Sequence, residues 1–149
     1  MTEQPRIGYR YTDLYVGMAF RSPGRTISEA DLMAFSGLTG DFSELHTSDV
    51  YAKASQFGRR VAHGMLLGGF ISAVLGDALP GPGSIYLGQT VEFLHPVRIG
   101  DQVKVKATVT AVDRARATLE TLCLVGDVVV ARGEATVIPP RRRKTQEAS

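Results

Sequence analysis

Residues 63–78 read HGMLLGGFISAVLGDA, and this stretch decides the fold. Because it is apolar on almost every face, it predicts a helix, His63–Ala78, that is buried all round. Gly68 and Gly69 each cost such a helix up to ~1 kcal/mol relative to alanine. Their presence predicts that another element packs very close to the helix, most simply a sheet that curls around it.

Downstream of this helix the sequence changes to a period of two. Residues 103–111 alternate valine or alanine with lysine or threonine, a pattern typical of a half-buried strand. Residues 85–93, 118–124 and 128–138 are predicted to form three further strands, and residues 18–26 another. The order of elements predicts an α+β fold in which an antiparallel sheet wraps a central helix. The open edge of such a sheet favours a dimer that continues the sheet.

Two shorter helices are predicted before the long one. The first spans Ser28–Gly37, with Ser28 as N-cap and Asp31 placed to complete a capping box. Gly37 is expected to end this helix in the left-handed conformation. The second begins at Thr47 or Ser48 and runs to about residue 55.

Composition excludes several classes of site. The chain has 149 residues, one domain's worth, and its single cysteine excludes a disulfide framework and a cysteine-built metal site. The three histidines, His46, His63 and His95, are interpreted as too few and too scattered for a metal cluster, so no metal is expected. The absence of tryptophan and an aromatic content of 7% argue against a base-stacking surface.

The basic charge lies at one end of the chain. Residues 141–144 and Glu147 together carry a charge of +3. The net charge of the whole chain is +2, so the remaining residues together carry −1. We therefore expect no nucleic-acid-binding face within the fold; the alternative is that the tail binds nucleic acid or another acidic partner. The predicted organisation is an N-terminal extension (1–10), one domain (11–138) and a basic disordered tail (139–149). With no visible signal or membrane segment, a cytoplasmic protein without a membrane partner is expected.

Asp41 and His46 are candidate catalytic residues. On a regular helix their spacing of five would place them about 140° apart, so a turn near Gly40 is needed to bring them together. A carboxylate beside an imidazole can deprotonate a water molecule and deliver a proton elsewhere. The alternative is that Asp41 caps a helix and His46 is a core histidine.

Gly64 is a candidate through its backbone. It lies at the start of the long helix, where the first N–H groups lack acceptors within the helix and point outward. Without a side chain, its N–H can approach a carbonyl oxygen on which negative charge develops. The alternative is a glycine needed only for close packing.

Three motifs resemble those of one family. Residues 40–46, GDFSELH, resemble the hydratase signature of the MaoC-like family, the (R)-specific enoyl-CoA hydratases. Residues 60–67, RVAHGMLL, resemble the family's entry to the central helix, and residues 80–97 resemble its crossing from helix to sheet. Because the three occur in the family's order, the resemblance extends over most of residues 11–138.

The resemblance implies a hot-dog fold, a homodimer or a dimer of dimers, and a hydro-lyase. The reaction would be the reversible hydration of trans-2-enoyl thioesters, on CoA or an acyl carrier, to (R)-3-hydroxyacyl thioesters. Asp41 and His46 match the family's catalytic dyad, and Gly64 matches its backbone oxyanion donor. No cofactor is implied, because the thioester itself polarises the double bond. The substrate-binding candidates are Ser43, Met65 and Ser72, the last expected to face the same way as Gly64.

The chain departs from the family pattern at Ser43-Glu44, where Asn-Pro is usual. Glu44 adds a negative charge near the dyad and is expected to alter substrate choice. Two other functions stay open. A hot-dog acyl-CoA thioesterase would hold the same thioester but direct water at its carbonyl carbon, and a non-catalytic subunit would only bind the acyl thioester.

The remaining reactive side chains are given structural interpretations. His63, at the helix entry, is predicted to be structural, and His95, before a proline, is predicted to lie at the surface. Arg59 and Arg60 are interpreted as a solvated pair, or alternatively as ligands of CoA phosphates. Cys123 is predicted to be an inert buried thiol.

Overall fold

The computed structural model describes residues 6–141, which form four helices and seven strands. The α+β prediction is confirmed by this order of elements. In chain order they are β1 Ala19–Arg21, β2 Arg25–Thr26, α1 Glu29–Thr39, α2 Glu44–Thr47, α3 Asp49–Ala54, α4 Gly64–Asp77, β3 Ile85–Gln89, β4 Glu92–Phe93, β5 Gln102–Val112, β6 Ala117–Val125 and β7 Val128–Ile138.

The strands form one antiparallel sheet with the order β1-β5-β6-β7-β3. The short strands β2 and β4 pair with β5 and β7, respectively. In β5 the alternation is as predicted from Val103 to Val109, whose valines and alanine are buried. A register shift between Val109 and Ala111 then breaks the alternation, so Ala111 is exposed instead of buried.

The long helix α4 packs one side against β3, β5 and β6. Its buried residues are Leu67, Ile71, Val74 and Leu75. These four positions repeat at helical spacing and define a single apolar stripe against the sheet. The helix therefore forms where predicted and is the core element of the fold.

The prediction that this helix is buried all round was wrong. Met65, Gly69 and Ser72 lie on an exposed side of α4. A Cβ atom added at Gly69 would meet nothing within 4 Å, and one at Gly68 would meet only the flexible Met65 side chain. The two glycines therefore do not mark close packing among residues 6–141, and one apolar face of the helix is left without cover there.

Helix α1 leads into the candidate site. Its predicted capping box is confirmed, because Ser28 Oγ accepts from the Asp31 N–H and the Asp31 carboxylate accepts from the Ser28 N–H. The predicted end at Gly37 was wrong. The helix continues to Thr39 and ends at Gly40, which is left-handed with φ +80° and donates its N–H to the Ser36 carbonyl.

Local geometry changed several other boundaries. Helix α3 begins after its N-cap Ser48, as predicted, but the one-turn helix α2 before it was not predicted. The predicted strands 18–26 and 85–93 are each broken into two short strands. Of the predicted basic tail, residues 142–149 lie outside the described residues. No helix within residues 6–141 is long and apolar enough to cross a membrane, and the cytoplasmic location stays a prediction.

Candidate active site

Asp41 follows the left-handed Gly40 and is fixed by its own turn. Its Oδ1 accepts a hydrogen bond from the Ser43 N–H at 3.1 Å, and its N–H donates to Thr39 Oγ1 at 3.2 Å. The Asp41 side chain is 48% exposed, so water and substrate can reach it. The turn holds one carboxylate oxygen in place and leaves the other, Oδ2, free to face a neighbour.

That neighbour is His46, on the one-turn helix α2. Its Nδ1 lies 2.7 Å from the Val61 carbonyl oxygen, and its Nε2 lies 3.9 Å from Asp41 Oδ2. A carbonyl oxygen can only accept, so Nδ1 carries a proton and Nε2 is the nitrogen that exchanges one. The predicted turn therefore brings the acid and the imidazole together, close enough for one water molecule beside them to hydrogen-bond to both.

Gly64 is the first residue of α4, as predicted, and its N–H has no acceptor within the helix. A Cβ atom at this position would lie 2.8–3.0 Å from the ring carbons of Phe93 on β4. The contact supports the close-packing interpretation of this glycine. Its N–H lies at the positive end of the helix dipole and has no acceptor among residues 6–141, but its role as a donor to a carbonyl oxygen stays a prediction.

His63, the N-cap of α4, joins these groups. It is 2% exposed, and its ring stacks on His46 with centroids 3.8 Å apart and an interplanar angle of 26°. Its Nε2 lies 3.1 Å from both Ser36 Oγ and the Asp41 carbonyl oxygen. Burial is the largest influence and lowers the pKa of His63; the hydrogen bond to the Asp41 backbone raises it by less, and the nearby His46 lowers it again. Sequence reasoning found His63 as a structural residue at the helix entry, but it gave no sign of the stacking on His46 or of Ser36.

These residues also bear on metal binding. One ligand atom each from Asp41, His46 and His63 lies within 4.8 Å of the others. The interpretation that the histidines are scattered was therefore wrong for His46 and His63. However, lone pairs of imidazoles lie in their ring planes, and two stacked planes do not converge on one point. His46 Nδ1 is also held by the Val61 carbonyl. The arrangement is therefore better suited to proton transfer than to holding an ion.

Of the three substrate-binding candidates, Ser43 lies in the turn beside Asp41, and Met65 and Ser72 lie on α4. The Ser43 backbone fixes the Asp41 carboxylate. Met65 is 56% exposed and Ser72 is exposed. Because eight helical residues make two turns plus about 80°, Ser72 does not face the same way as Gly64, and that expectation was wrong. A substrate-binding role for Ser43, Met65 and Ser72 stays a prediction.

The other reactive residues lie outside the dyad. Arg60 is 10% exposed in its side chain and bonds Glu29 at 3.0 Å and Asp49 at 2.7 Å, so it joins α1 to α3 instead of being solvated. With two carboxylates on its guanidinium, it is a poor candidate for CoA phosphates. Cys123 is buried, as predicted, and burial raises its thiol pKa to about 12. His95 is exposed, also as predicted.

The structure is thus an antiparallel sheet packed on one long helix, with an acid and a histidine near the helix entry. The family model described as MaoC like domain matches residues 14–131, and the chain belongs to this family.

Relatives and solved structures agree with this assignment. The (R)-specific enoyl-CoA hydratase of Rhodospirillum rubrum is 44% identical over 144 residues, covering 95% of this chain and 99% of the relative. The 3-hydroxybutyryl-CoA dehydratase of Methylorubrum extorquens is 44% identical over 146 residues, covering 97% and 92%. An unliganded R-hydratase structure from Pseudomonas aeruginosa superposes with a TM-score of 0.85 at 36% identity, covering 95% of this chain and 94% of the other. The predicted hot-dog fold is thereby confirmed.

Proposed function

We propose that this chain catalyses the reversible hydration of trans-2-enoyl-CoA to (R)-3-hydroxyacyl-CoA. The observation that carries the proposal is the pair Asp41 Oδ2 and His46 Nε2, which face each other at 3.9 Å beside the N-terminus of α4. The names of relatives that cover nearly the whole chain support the reaction and its stereochemistry.

In this mechanism the Gly64 N–H binds the thioester oxygen. Hydrogen bonding there draws electrons from the conjugated double bond and makes the β-carbon electrophilic. A backbone donor of this kind is worth ~2.7–4 kcal/mol in the transition state. The thioester supplies the electronic activation, so the protein's part is positioning and proton transfer.

The dyad then transfers two protons, one taken from water and one given to the substrate. Asp41 accepts a proton from water as the water oxygen bonds to the β-carbon, and the π electrons move towards the α-carbon and thioester oxygen. His46, protonated at Nε2, donates that proton to the α-carbon. Asp41 then passes the proton that it took from water to His46 Nε2, its neighbour at 3.9 Å, which restores the starting dyad, and the net change is the addition of one water molecule. The hydrogen bond from His46 Nδ1 to Val61 supports Nε2 as the donating nitrogen.

We also propose that the active form is a homodimer. Strand β3 ends the described sheet and exposes Ile85 and Leu87, and the neighbouring face of α4 exposes Met65 and Gly69. A second copy that pairs along β3 would cover both surfaces at once and would bring Met65 and Ser72 into an enclosed space.

To test the proposal, the purified protein is incubated with crotonyl-CoA and the loss of the enoyl absorbance is measured. The stereochemistry of the product is then determined by chiral analysis. We expect (R)-3-hydroxybutyryl-CoA from the wild type. Asp41→Asn and His46→Ala should each lower kcat by about 10²–10⁴-fold. Matched controls are Asp127→Asn and His95→Ala, two exposed residues away from the dyad, which should retain activity.

Two outcomes contradict the proposal. If the purified chain releases free thiol from butyryl-CoA but does not hydrate crotonyl-CoA, it is a thioesterase. If both dyad variants hydrate crotonyl-CoA near the wild-type rate while folded, as judged by circular dichroism, the residue assignment is wrong.

A further inference from the structure

One buried residue contacts both members of the dyad. His63 Nε2 lies 3.1 Å from the backbone oxygen of Asp41, and the His63 ring stacks on His46 at a centroid distance of 3.8 Å. The peptide after His63 leads directly into Gly64. At 2% exposure His63 does not reach the substrate, so any effect on the reaction passes through these three neighbours.

The contacts define the protonation state of His63. The Asp41 carbonyl oxygen only accepts, so Nε2 must carry a proton and donate it. Nδ1 is buried and has no hydrogen-bond partner among residues 6–141. A proton there would create a buried cation with an unmade donor, whereas a bare lone pair costs less. The neutral Nε2–H form is therefore the one that fits, and burial, which lowers the pKa of His63, agrees with it.

The surroundings hold the ring in this orientation. Phe35 packs against the His63 ring at a centroid distance of 4.7 Å, and Ser36 Oγ lies 3.1 Å from Nε2. Both residues belong to α1, whose left-handed end at Gly40 leads into Asp41. The ring is thus enclosed between α1 and His46, and its donor is aimed at the segment that carries the acid.

We propose that His63 is a positioning residue of the reaction. Its Nε2–H holds the Asp41 backbone, and so the carboxylate, at the distance from which it exchanges a proton with His46. Its ring face fixes the plane of the His46 imidazole. Because His63 is neutral, the positive charge on an imidazole during the reaction is carried by His46. This inference rests on the proposed hydratase function.

Two substitutions at this position separate the two contacts. His63→Phe keeps an aromatic face for His46 but removes the donor to Asp41. His63→Gln keeps an N–H donor near the Nε2 position but removes the ring. We expect His63→Phe to lower kcat for crotonyl-CoA by about 100-fold, the effect of misplacing a reacting group by about 1 Å, with KM nearly unchanged. His63→Gln should recover most of this loss and stay within about 5-fold of wild type, since stacking contributes less.

The comparison variant is Ser36→Ala. It removes the other Nε2 neighbour and leaves the Asp41 contact in place. Because Ser36 helps to hold the His63 ring but does not contact the dyad through its side chain, we expect a loss of kcat clearly smaller than that of His63→Phe. A folded His63→Phe enzyme with wild-type kcat would overturn the inference, and so would a Ser36→Ala loss as large as that of His63→Phe. If the wild type itself does not hydrate crotonyl-CoA, the proposed function fails instead.

A measurement on the wild type covers the case in which the variants do not fold. Nitrogen-15 NMR of histidine side chains distinguishes the two neutral tautomers from the cation. We expect one histidine, assigned to His63 by its loss in His63→Gln or by through-space contacts to Phe35, to be protonated at Nε2 alone throughout the pH range of activity. A His63 protonated at Nδ1 alone could not donate to Asp41 and would overturn the inference.

Discussion

At the scale of single residues, the backbone of Gly64 and the ring of Phe93 lie in contact. A methyl group on Gly64 would come within 2.8–3.0 Å of three ring carbons, closer than real Cβ atoms lie. Phe93 is 49% exposed, so the ring has somewhere to move, but only by changing the wall beside the Gly64 N–H. A side chain at position 64 should therefore lower the rate of the reaction more than it lowers the stability of the fold.

We expect Gly64→Ala to lower kcat by up to about 100-fold, because the crowded ring shifts the helix entry and misplaces the donor. Stopped-flow or steady-state hydration of crotonyl-CoA measures this effect. The double variant Gly64→Ala with Phe93→Ala removes the ring and should regain part of the lost rate. A double variant no faster than Gly64→Ala would show that crowding is not the cause.

The residues of the site differ in how far sequence defines them. The proximity of Asp41 and His46 could be predicted because a turn beside Gly40 can bring residues five positions apart together, and the family motif at residues 40–46 singled out this pair. His63 and Ser36 could not, because a buried histidine and a buried helical serine are usually satisfied core residues. Their contacts join segments 27 residues apart, a pairing that depends on how α1 packs on the entry of α4.

At the scale of elements, the start of α1 contains a charge that should appear in the pH dependence of stability. Hydrogen bonds from the Ser28 backbone and Arg25 lower the pKa of Asp31 below its ordinary value of 3.8. A carboxyl whose folded pKa is depressed stabilises the fold above its unfolded pKa, and this contribution is lost as the pH falls through the folded pKa.

We expect Asp31→Asn to lower the free energy of unfolding at neutral pH by about 0.5–1 kcal/mol, as for other acids at helix N-termini. Below the ordinary carboxyl range the variant and the wild type should converge. Urea unfolding across this pH range measures the difference. Asp127→Asn, in an exposed turn, is the control, and an Asp31→Asn difference that is constant with pH would contradict the argument.

The ends of helices and strands could be predicted where they depend on the local sequence, and could not where they depend on contacts with distant segments. Strand β7 has the predicted bounds, and β5 and β6 differ by one residue at each end, since alternation is a local property. The break between β3 and β4 was not predictable, because it depends on pairing with β7 and on the register shift between Tyr86 and Gly88. The end of α1 was misjudged because Gly37 is exposed and a helix can continue through it.

At the scale of the whole molecule, α4 is apolar all round but buried on one side only. Its exposed face carries Met65, Gly69 and Ser72, and the adjacent end strand β3 exposes Ile85 and Leu87. The sequence predicts a fully buried helix, but the described residues bury only one side of it. The proposed second copy would bury the other side, because the exposed face of α4 and strand β3 of each copy would meet those of its partner across a two-fold axis.

A pair of glycine substitutions tests this account. Gly69 on α4 and Gly37 on α1 are both exposed helical glycines, and a Cβ at either would meet nothing within 4 Å. Within one chain, therefore, Gly69→Glu and Gly37→Glu should be equally harmless. We expect Gly37→Glu to remain an active dimer in sedimentation velocity, and Gly69→Glu to sediment as a folded monomer with little activity, because a buried carboxylate would oppose association. A dimeric, fully active Gly69→Glu protein would place the interface elsewhere and leave the uncovered face of α4 without this explanation.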